Sequence, residues 1–150
     1  MLWTSGLRWW VAVCSVVFGL GTAVQNFVVI NASLVARAAE LAGSPASDGF
    51  LVGLRLVGAV YLVGNLLGVL ALTGRAWVFW VVLAVNATQA AGVFVIPPAV
   101  FRASVELSGW AGLLPSLVTD GGALVLTVVL LGRLVRWRLR SRGEPAGVAR

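Results

Sequence analysis

The stretch LPSLVTDGGALVLTVVLLG, residues 114 to 132, places an aspartate, Asp120, inside an apolar run long enough to cross a bilayer. A spanning α-helix needs about 20 predominantly apolar residues. A carboxylate at mid-span costs about 2.5 to 3.5 kcal/mol on insertion scales. The stretch therefore predicts a membrane helix and a compensating group that faces Asp120.

The composition of the chain points to the same class of protein. Of the 150 residues, 60% are hydrophobic and 11% are charged, with a mean hydropathy of +1.00. Soluble domains carry about 25% charged residues, so the chain is predicted to be an integral membrane protein. It has no histidine and one cysteine, Cys14, which excludes imidazole metal sites, Cys-His nucleophiles and intrachain disulfides. We expect no metal site and no cofactor.

Four apolar runs are long enough to span a membrane, and short linkers join them. The predicted fold is an all-α polytopic membrane protein, a single four-helix bundle over residues 1–150 with a basic tail at 135–150. The predicted spans cover approximately residues 9–35, 50–72, 77–96 and 113–134.

The arginines predict the orientation of this bundle, because short cytoplasmic loops are enriched in Arg. One side would carry eight arginines and the other three, Arg37, Arg55 and Arg102. Both termini are therefore predicted to be cytoplasmic. Six of the seven tryptophans fall near the same cytoplasmic interface, and only Trp110 falls near the outer one.

Residues 1–23 allow an alternative interpretation as a signal peptide. Arg8, the apolar WWVAVCSVVFGL and the small residues Gly21 and Ala23 have the required order. Apolar character resumes at FVVI, residues 27–30, which favours an uncleaved first span. Cleavage would leave three spans in the same orientation.

The two linkers on the outer side carry helical patterns. LVARAAELAG keeps a helical composition up to Gly43, a predicted C-cap followed by Pro45. In PPAVFRASVELSGW, Arg102 and Glu106 lie four residues apart, as in an ion-paired helix at the outer interface. A surface loop with an incidental ion pair is the alternative interpretation.

An arginine in the second span is the predicted partner of Asp120. Arg55 enters from the outer side one to two turns in, and Asp120 lies about two turns in on the fourth span. Buried charges in membranes are normally paired. The matching depth predicts an Arg55–Asp120 ion pair inside the bundle.

Further polar side chains share helical faces with this pair and are expected to converge in the outer half of the bundle. They are Gln25 and Asn26 in the first span, Tyr61 and Asn65 in the second, and Asn86 and Gln89 in the third. One interpretation is that they form hydrogen bonds that orient the helices. The other is that they line a cavity for a small polar or amphipathic ligand or a proton path.

Glycine spacing and the arginine-rich tail add two expectations. Gly64 and Gly68, four residues apart, are typical of close helix packing, within the chain or in a homodimer. Near the last span lie five arginines that are predicted to contact anionic lipid headgroups: Arg133, Arg136, Arg138, Arg140 and Arg142. A role in binding nucleic acid is not expected.

Residues 53–86, GLRLVGAVYLVGNLLGVLALTGRAWVFWVVLAVN, resemble the middle of the DoxX-like family of small four-helix bacterial membrane proteins. The resemblance lies in the spacing of Gly58, Gly64 and Gly68 and in the turn at Arg75 that opens the third span. Many members carry an acidic residue where this chain has Tyr61. The resemblance implies a multi-pass protein of the bacterial plasma membrane that acts as an accessory or redox-associated subunit.

Three classes of function are therefore carried forward. The first is an accessory or interaction subunit with a membrane-protein partner, which needs no catalytic set. The second is a carrier or channel for a small molecule or ion, suggested by the polar interior. The third is a membrane enzyme with Asp120 as general base, since a nearby arginine would keep the carboxylate ionised.

Overall fold

The computed structural model of the protein describes residues 2–45 and 48–143, which are helical apart from short connections and contain no strand. The α-helices are α1 (Ser5–Val24), α2 (Ala32–Ala42), α3 (Asp48–Leu67), α4 (Ala76–Gly92), α5 (Pro98–Ser108), α6 (Leu114–Ser116) and α7 (Gly122–Gly143). A π-helical turn at Gln25–Val29 extends α1, and a second one at Leu117–Gly121 precedes α7. Turns of 3₁₀ helix lie at Gly68–Thr73 and Gly109–Leu113. The predicted all-α class is confirmed.

Three helical stretches in the described part of the chain are long and apolar enough to cross a membrane: Ser5–Val29, Gly49–Thr73 and Pro98–Ser141. The third is not one continuous rod, because Gly109 adopts φ 62° at the end of α5. A left-handed backbone of this kind suits glycine, which has no Cβ to clash. The fourth apolar helix, α4, has 17 residues. These lengths support the prediction of a membrane protein.

The four long helices pack side by side in a ring, in which α1 contacts α3 and α7, and α4 contacts the same two helices. Neighbours in the ring are antiparallel. Asn65 of α3 bonds to Thr22 of α1, whereas Gly68, directly after the end of α3, lies against the earlier Ser15. The order is therefore up-and-down, as in simple four-helix bundles.

One end of the ring is filled by an apolar core. Its completely buried side chains include Val11, Phe79, Leu126 and Leu130. Trp3 closes this end, since its ring meets Phe79 edge to face with centroids 5.3 Å apart, and its indole nitrogen donates to the carbonyl of Arg75 at 2.8 Å. This end carries the N-terminus, the α3–α4 turn and the C-terminal half of α7.

Glycines let the helices approach closely inside the bundle. A Cβ at Gly68 would overlap the hydroxyl of Ser15, and one at Gly64 would lie 2.9 Å from a methyl of Val85. Close packing by this pair within the chain is therefore observed. The next glycine in the turn, Gly74, adopts φ 69°, which ends the 3₁₀ turn and lets α4 start at Ala76.

The predicted first span, residues 9–35, is divided into two helices. Ile30 is extended (φ −78°, ψ 101°), and the side chain of Asn31 accepts a hydrogen bond of 3.0 Å from the amide of Leu34. Asn31 is thus the N-cap of α2, and a cap of this type starts a new helix. The chain turns at Ile30–Asn31 because the cap replaces the helical bonds that would have continued α1.

Helices α2 and α5 pack against each other at the opposite end of the ring and form a cap over it. Arg37 of α2 donates to Glu106 of α5 at 2.6 Å and to Glu40 at 2.8 Å. These hydrogen bonds raise the pKa of the Arg37 guanidinium above its usual value. The predicted pairing of Glu106 with Arg102 is therefore wrong, because packing of α2 on α5 brings Arg37 within reach. The predicted C-cap is confirmed, with Gly43 at φ 65°.

The last helix continues beyond the predicted end of the fourth span at Leu134. Leu134 and Trp137 pack against the apolar core, which favours helical continuation into the predicted tail. Arg133 is half-buried and donates to the carbonyl of Leu2 at 3.1 Å. Three of the other predicted lipid-contacting side chains, Arg136, Arg138 and Arg140, are exposed. The side chain of Arg142 and residues 144–150 lie outside the described part.

Candidate ligand cavity

A cavity of about 440 Å³ lies between α1, α3, α4 and the turn that precedes α7, at the end of the ring near the α2–α5 cap. This volume falls within the range of small-molecule sites, about 300 to 1,000 Å³. The polar or glycine residues that line it are Thr22, Gln25, Asn26, Gly58, Tyr61, Thr88, Gln89, Gly92 and Asp120.

A chain of hydrogen bonds joins all four long helical stretches at the base of the cavity. The Asn65 amide donates to Thr22 at 3.2 Å and to the side-chain oxygen of Gln89 at 3.1 Å. Gln89 in turn donates to the Asp120 carboxylate at 3.5 Å, and Thr119 donates to the same oxygen at 3.3 Å. The polar side chains thus converge between the helices, as predicted from their helical faces.

Two π-helical turns face each other across the base of the cavity. One contains Gln25 and Asn26, and the other contains Thr119 and Asp120. Gln25 donates to the hydroxyl of Ser116 at 2.8 Å, directly before the second turn. A π turn inserts a residue into the helical register, and such turns occur frequently at functional sites. Here they direct polar side chains from neighbouring helices into one space.

Asp120 is half-buried, and no arginine among the described side chains pairs with it. Its Oδ1 atom accepts both hydrogen bonds described above, and its Oδ2 atom accepts none from the residues that the structure describes. Among the described residues lining the cavity, Asp120 is the one charged side chain. Its carboxylate is therefore compensated by an amide and a hydroxyl, with one oxygen left available to a ligand.

The predicted Arg55–Asp120 ion pair is not formed. Arg55 is exposed, does not line the cavity, and donates to the carbonyl of Ile30 at 3.3 Å. The carbonyl of Ile30 is free because the amide of Leu34 bonds to the side chain of Asn31. A cation at the C-terminal end of a helix is favourable. Arg55 therefore stabilises the break after α1.

Asn26 is a buried polar residue of the cavity that lacks a hydrogen bond. Its side chain is 2% exposed, and its Oδ1 atom has no partner among the described residues. It fits against Gly58, where a Cβ would lie 2.5 Å from Oδ1. A buried amide without partners costs about 1 to 3 kcal/mol, so a ligand that bonds to Asn26 would remove this cost.

The walls of the cavity are apolar, and one side of it is open. Phe50, Leu54 and Ile96 form much of the wall above the polar base. Val57 of α3 and Val95 after α4 lie at the rim and are 54% and 81% exposed. The opening therefore lies on the apolar outer surface of the bundle, between α3 and the end of α4.

A second, smaller cavity of about 190 Å³ lies under the α2–α5 cap. Its lining is apolar apart from Ser44, and it includes Ala38, Ala42 and Val100. Phe50 and Pro97 line both cavities. These two side chains therefore separate the smaller cavity from the larger one.

The structure brings most of the predicted interior residues together. Gln25, Asn26, Tyr61, Gln89 and Asp120 line the cavity. Asn65 lies one hydrogen bond away.

Asn86 does not line the cavity: it is buried, and it donates to the carbonyl of Val82 in its own helix at 2.8 Å. Sequence analysis missed Thr119, which is completely buried beside Asp120. Thr119 donates to Asp120 Oδ1 and so belongs to the same cluster, and both residues lie in the π turn.

Comparisons of this chain with protein-family models, with curated proteins and with solved structures found no match.

Proposed function

We propose that the protein is a four-span membrane protein, with both termini cytoplasmic, that binds a small amphipathic molecule in its outer half. The observation that carries this proposal is the cavity itself, which combines a polar base, apolar walls and an opening on the apolar surface.

The outer surface of the ring is apolar, as contact with the lipid chains of a bilayer requires. Exposed valine, leucine and phenylalanine side chains cover α1, α3 and α7, for example Leu20, Phe27, Val60 and Val128, each more than 60% exposed. A soluble monomer rarely exposes contiguous apolar patches above a few hundred Å². The buried polar network and the apolar exterior together support insertion of the ring into lipid.

The fourth span of the proposal is α4. Its 17 residues extend about 25 Å at about 1.5 Å per residue, at the short end of the range for spanning helices. It packs between α3 and α7, and Val78, Phe79 and Val82 are fully buried in the core. A helix packed between two membrane-length stretches shares their environment.

The proposed orientation rests on the two ends of the ring. One end contains the N-terminal segment, Arg75 and the arginines of α7. Trp3 donates to the carbonyl of Arg75, and Arg133 donates to the carbonyl of Leu2, so these segments lie together. The other end carries three arginines together with Glu40 and Glu106. The excess of positive charge supports a cytoplasmic location for the first end.

The lining of the cavity suits an amphipathic ligand. The polar group of such a ligand would reach Asp120, Gln89 and Asn26 at the base, and its apolar part would lie along Leu54 and Val57. Because Val57 and Val95 at the rim belong to the proposed lipid-facing surface, entry would be lateral, from the outer leaflet. Small-molecule sites of this kind use a few polar groups to fix orientation in an apolar pocket.

The filled core at the cytoplasmic end favours binding over conduction. Phe18, Phe79, Leu126 and Leu130 are buried below the cavity, so a path across the bundle would require this core to separate. The proposed activity is therefore that of a receptor-like or accessory subunit that holds a ligand. This agrees with the role that the DoxX-like resemblance implies.

A photoreactive probe tests the proposal. A diazirine-bearing octanol is added to the protein in phosphatidylcholine nanodiscs, and insertion is mapped by peptide mass spectrometry. We expect labels at Tyr61 and Gln89 inside the cavity. The variant Gly92→Phe should suppress these labels, because Gly92 lines the cavity and has open space beside its Cα.

The matched control is Gly53→Phe. Gly53 also has open space beside it but does not line the cavity, so labelling at Tyr61 should persist in this variant. Labels confined to the lipid-facing side chains of the normal protein, or equal labelling in both variants, would contradict the proposed function.

A further inference from the structure

We propose that the ligand carries a primary ammonium group on an apolar chain, and that Asp120 is its counter-ion. This inference rests on the ligand-binding function proposed above and names the chemical class of the ligand. It follows from the sign of the charge in the cavity, from the hydrogen-bonding groups available there, and from the aromatic side chains beside them.

The charge inside the cavity is negative and lacks a protein cation. Asp120 is the one charged side chain among the described lining residues, and Arg55 bonds instead to the carbonyl of Ile30. The ion pairs between described residues join Arg37 to Glu40 and to Glu106 in the cap, away from the cavity. A carboxylate in an apolar surround favours a cationic partner, since isolated buried charges are costly.

The atoms without partners at the base are acceptors. Asp120 Oδ2 and Asn26 Oδ1 receive no hydrogen bond from the described residues. A primary ammonium carries several N–H donors: one can bond to Asp120 Oδ2, and another would reach Asn26 Oδ1 once that side chain turns from Gly58 toward the cavity. An alcohol carries one donor, and a quaternary ammonium carries none, so these groups would satisfy the site less completely.

Two aromatic side chains complete the argument. Tyr61 and Phe50 line the same cavity, and the face of an aromatic ring attracts an ammonium group. The apolar chain of the ligand would leave through the open side between α3 and the end of α4. The same chemistry is present in a free amphipathic amine and in the ethanolamine headgroup of a phospholipid.

Competition against the diazirine-octanol label tests this class of ligand. n-Octylammonium and n-octanol are compared as competitors in phosphatidylcholine nanodiscs, with the label at Tyr61 as the readout. We expect octylammonium to compete at a concentration at least about tenfold lower than octanol. In Asp120→Asn the absolute yield of the label is not the readout: the ratio between the two competitors, measured on the label that this variant gives, should fall by about tenfold.

The matched control is Glu40→Gln, which removes an exposed carboxylate outside the cavity and should leave the ratio unchanged. Comparison between variants cancels the different partitioning of the two competitors into the bilayer. Equal competition by both compounds in the normal protein, or a preference for octylammonium that persists in Asp120→Asn, would overturn the inference. Absence of any label in the cavity would instead contradict the function on which it rests.

A second arm distinguishes the two sources of the ammonium. Phosphatidylethanolamine replaces half of the phosphatidylcholine in the nanodiscs. If the headgroup is the ligand, the label at Tyr61 should fall in the normal protein and not in Asp120→Asn. An unchanged label, with the preference for octylammonium intact, identifies a free amphipathic amine.

Discussion

The guanidinium of Arg55 lies 3.3 Å from the carbonyl oxygen of Ile30 and so closes the corner between α1 and α2. Ile30 cannot use this carbonyl inside a helix, because Asn31 caps the next one. The contact joins α3 to the end of α1 beside the cavity, which Ile30 lines. Arg55 thus has an architectural role, and Asp120 is left available for binding.

Replacing Arg55 by leucine should reduce stability modestly, by about 1 kcal/mol or less, because the side chain is exposed and makes one hydrogen bond. The effect should add to that of Asp120→Leu, since residues without contact couple by less than about 0.5 kcal/mol. Unfolding of both single variants and the double variant in detergent measures this. A coupling of several kcal/mol would show that the two side chains pair after all.

Replacing Asn65 by leucine should cost about 1 to 2 kcal/mol, because it removes two interhelical hydrogen bonds that link Thr22 and Gln89. Reversible unfolding in mixed micelles provides the measurement. Thr88→Val is the matched control, since Thr88 bonds only to carbonyls of its own helix. Equal loss in the two variants would argue that the network adds no interhelical stability.

Replacing Gly68 by alanine should destabilise the bundle by about 1 to 3 kcal/mol, because the new methyl group would overlap the Ser15 hydroxyl. The change Ser15→Ala should recover part of this loss in the double variant. Gly121→Ala is the control, since Gly121 has open space and alanine favours helices. Thermal unfolding of the four proteins checks the prediction, which fails if Ser15→Ala brings no recovery.

Replacing Arg37 by glutamine should loosen the α2–α5 cap without unfolding the ring. The reason is that Arg37 of α2 pairs with Glu106 of α5, and Glu40 of α2 holds the same guanidinium. Amide hydrogen exchange should accelerate in α2 and α5 and stay unchanged in α4. High salt should have the same effect on the normal protein, since exposed ion pairs are screened. Arg102→Gln is the control, and a matching acceleration in it would contradict the role given to Arg37.

Reporter fusions test the proposed orientation. A fusion after residue 150 should report the cytoplasm, and one in the α2–α3 connection should report the outer side, because the arginines concentrate at the first location. Replacing Arg136, Arg138 and Arg140 together by glutamine should weaken this bias or the binding to anionic vesicles. A reporter active outside the membrane at residue 150 would reverse the whole arrangement.

How far the cavity could be predicted differs from residue to residue. Helical periodicity placed Gln25, Asn26, Tyr61 and Gln89 on inward faces, since it depends only on positions along one helix. It could not place Thr119, because the π turn that rotates it inward is visible only in the folded chain. Depth alone suggested the pairing of Arg55 with Asp120, and depth leaves the rotation of each helix undetermined.

Properties that depend on local composition could be predicted from the chain alone: the all-α class, the apolar lengths, the charge asymmetry between loops, and the cap at Gly43. Which groups meet, such as Glu106 with Arg37 and Arg55 with Ile30, is visible only in the folded protein. These contacts depend on the fold because their range is short. A hydrogen bond requires atoms within about 3.5 Å, whereas a rotation of one helix by a single residue moves a side chain farther than that.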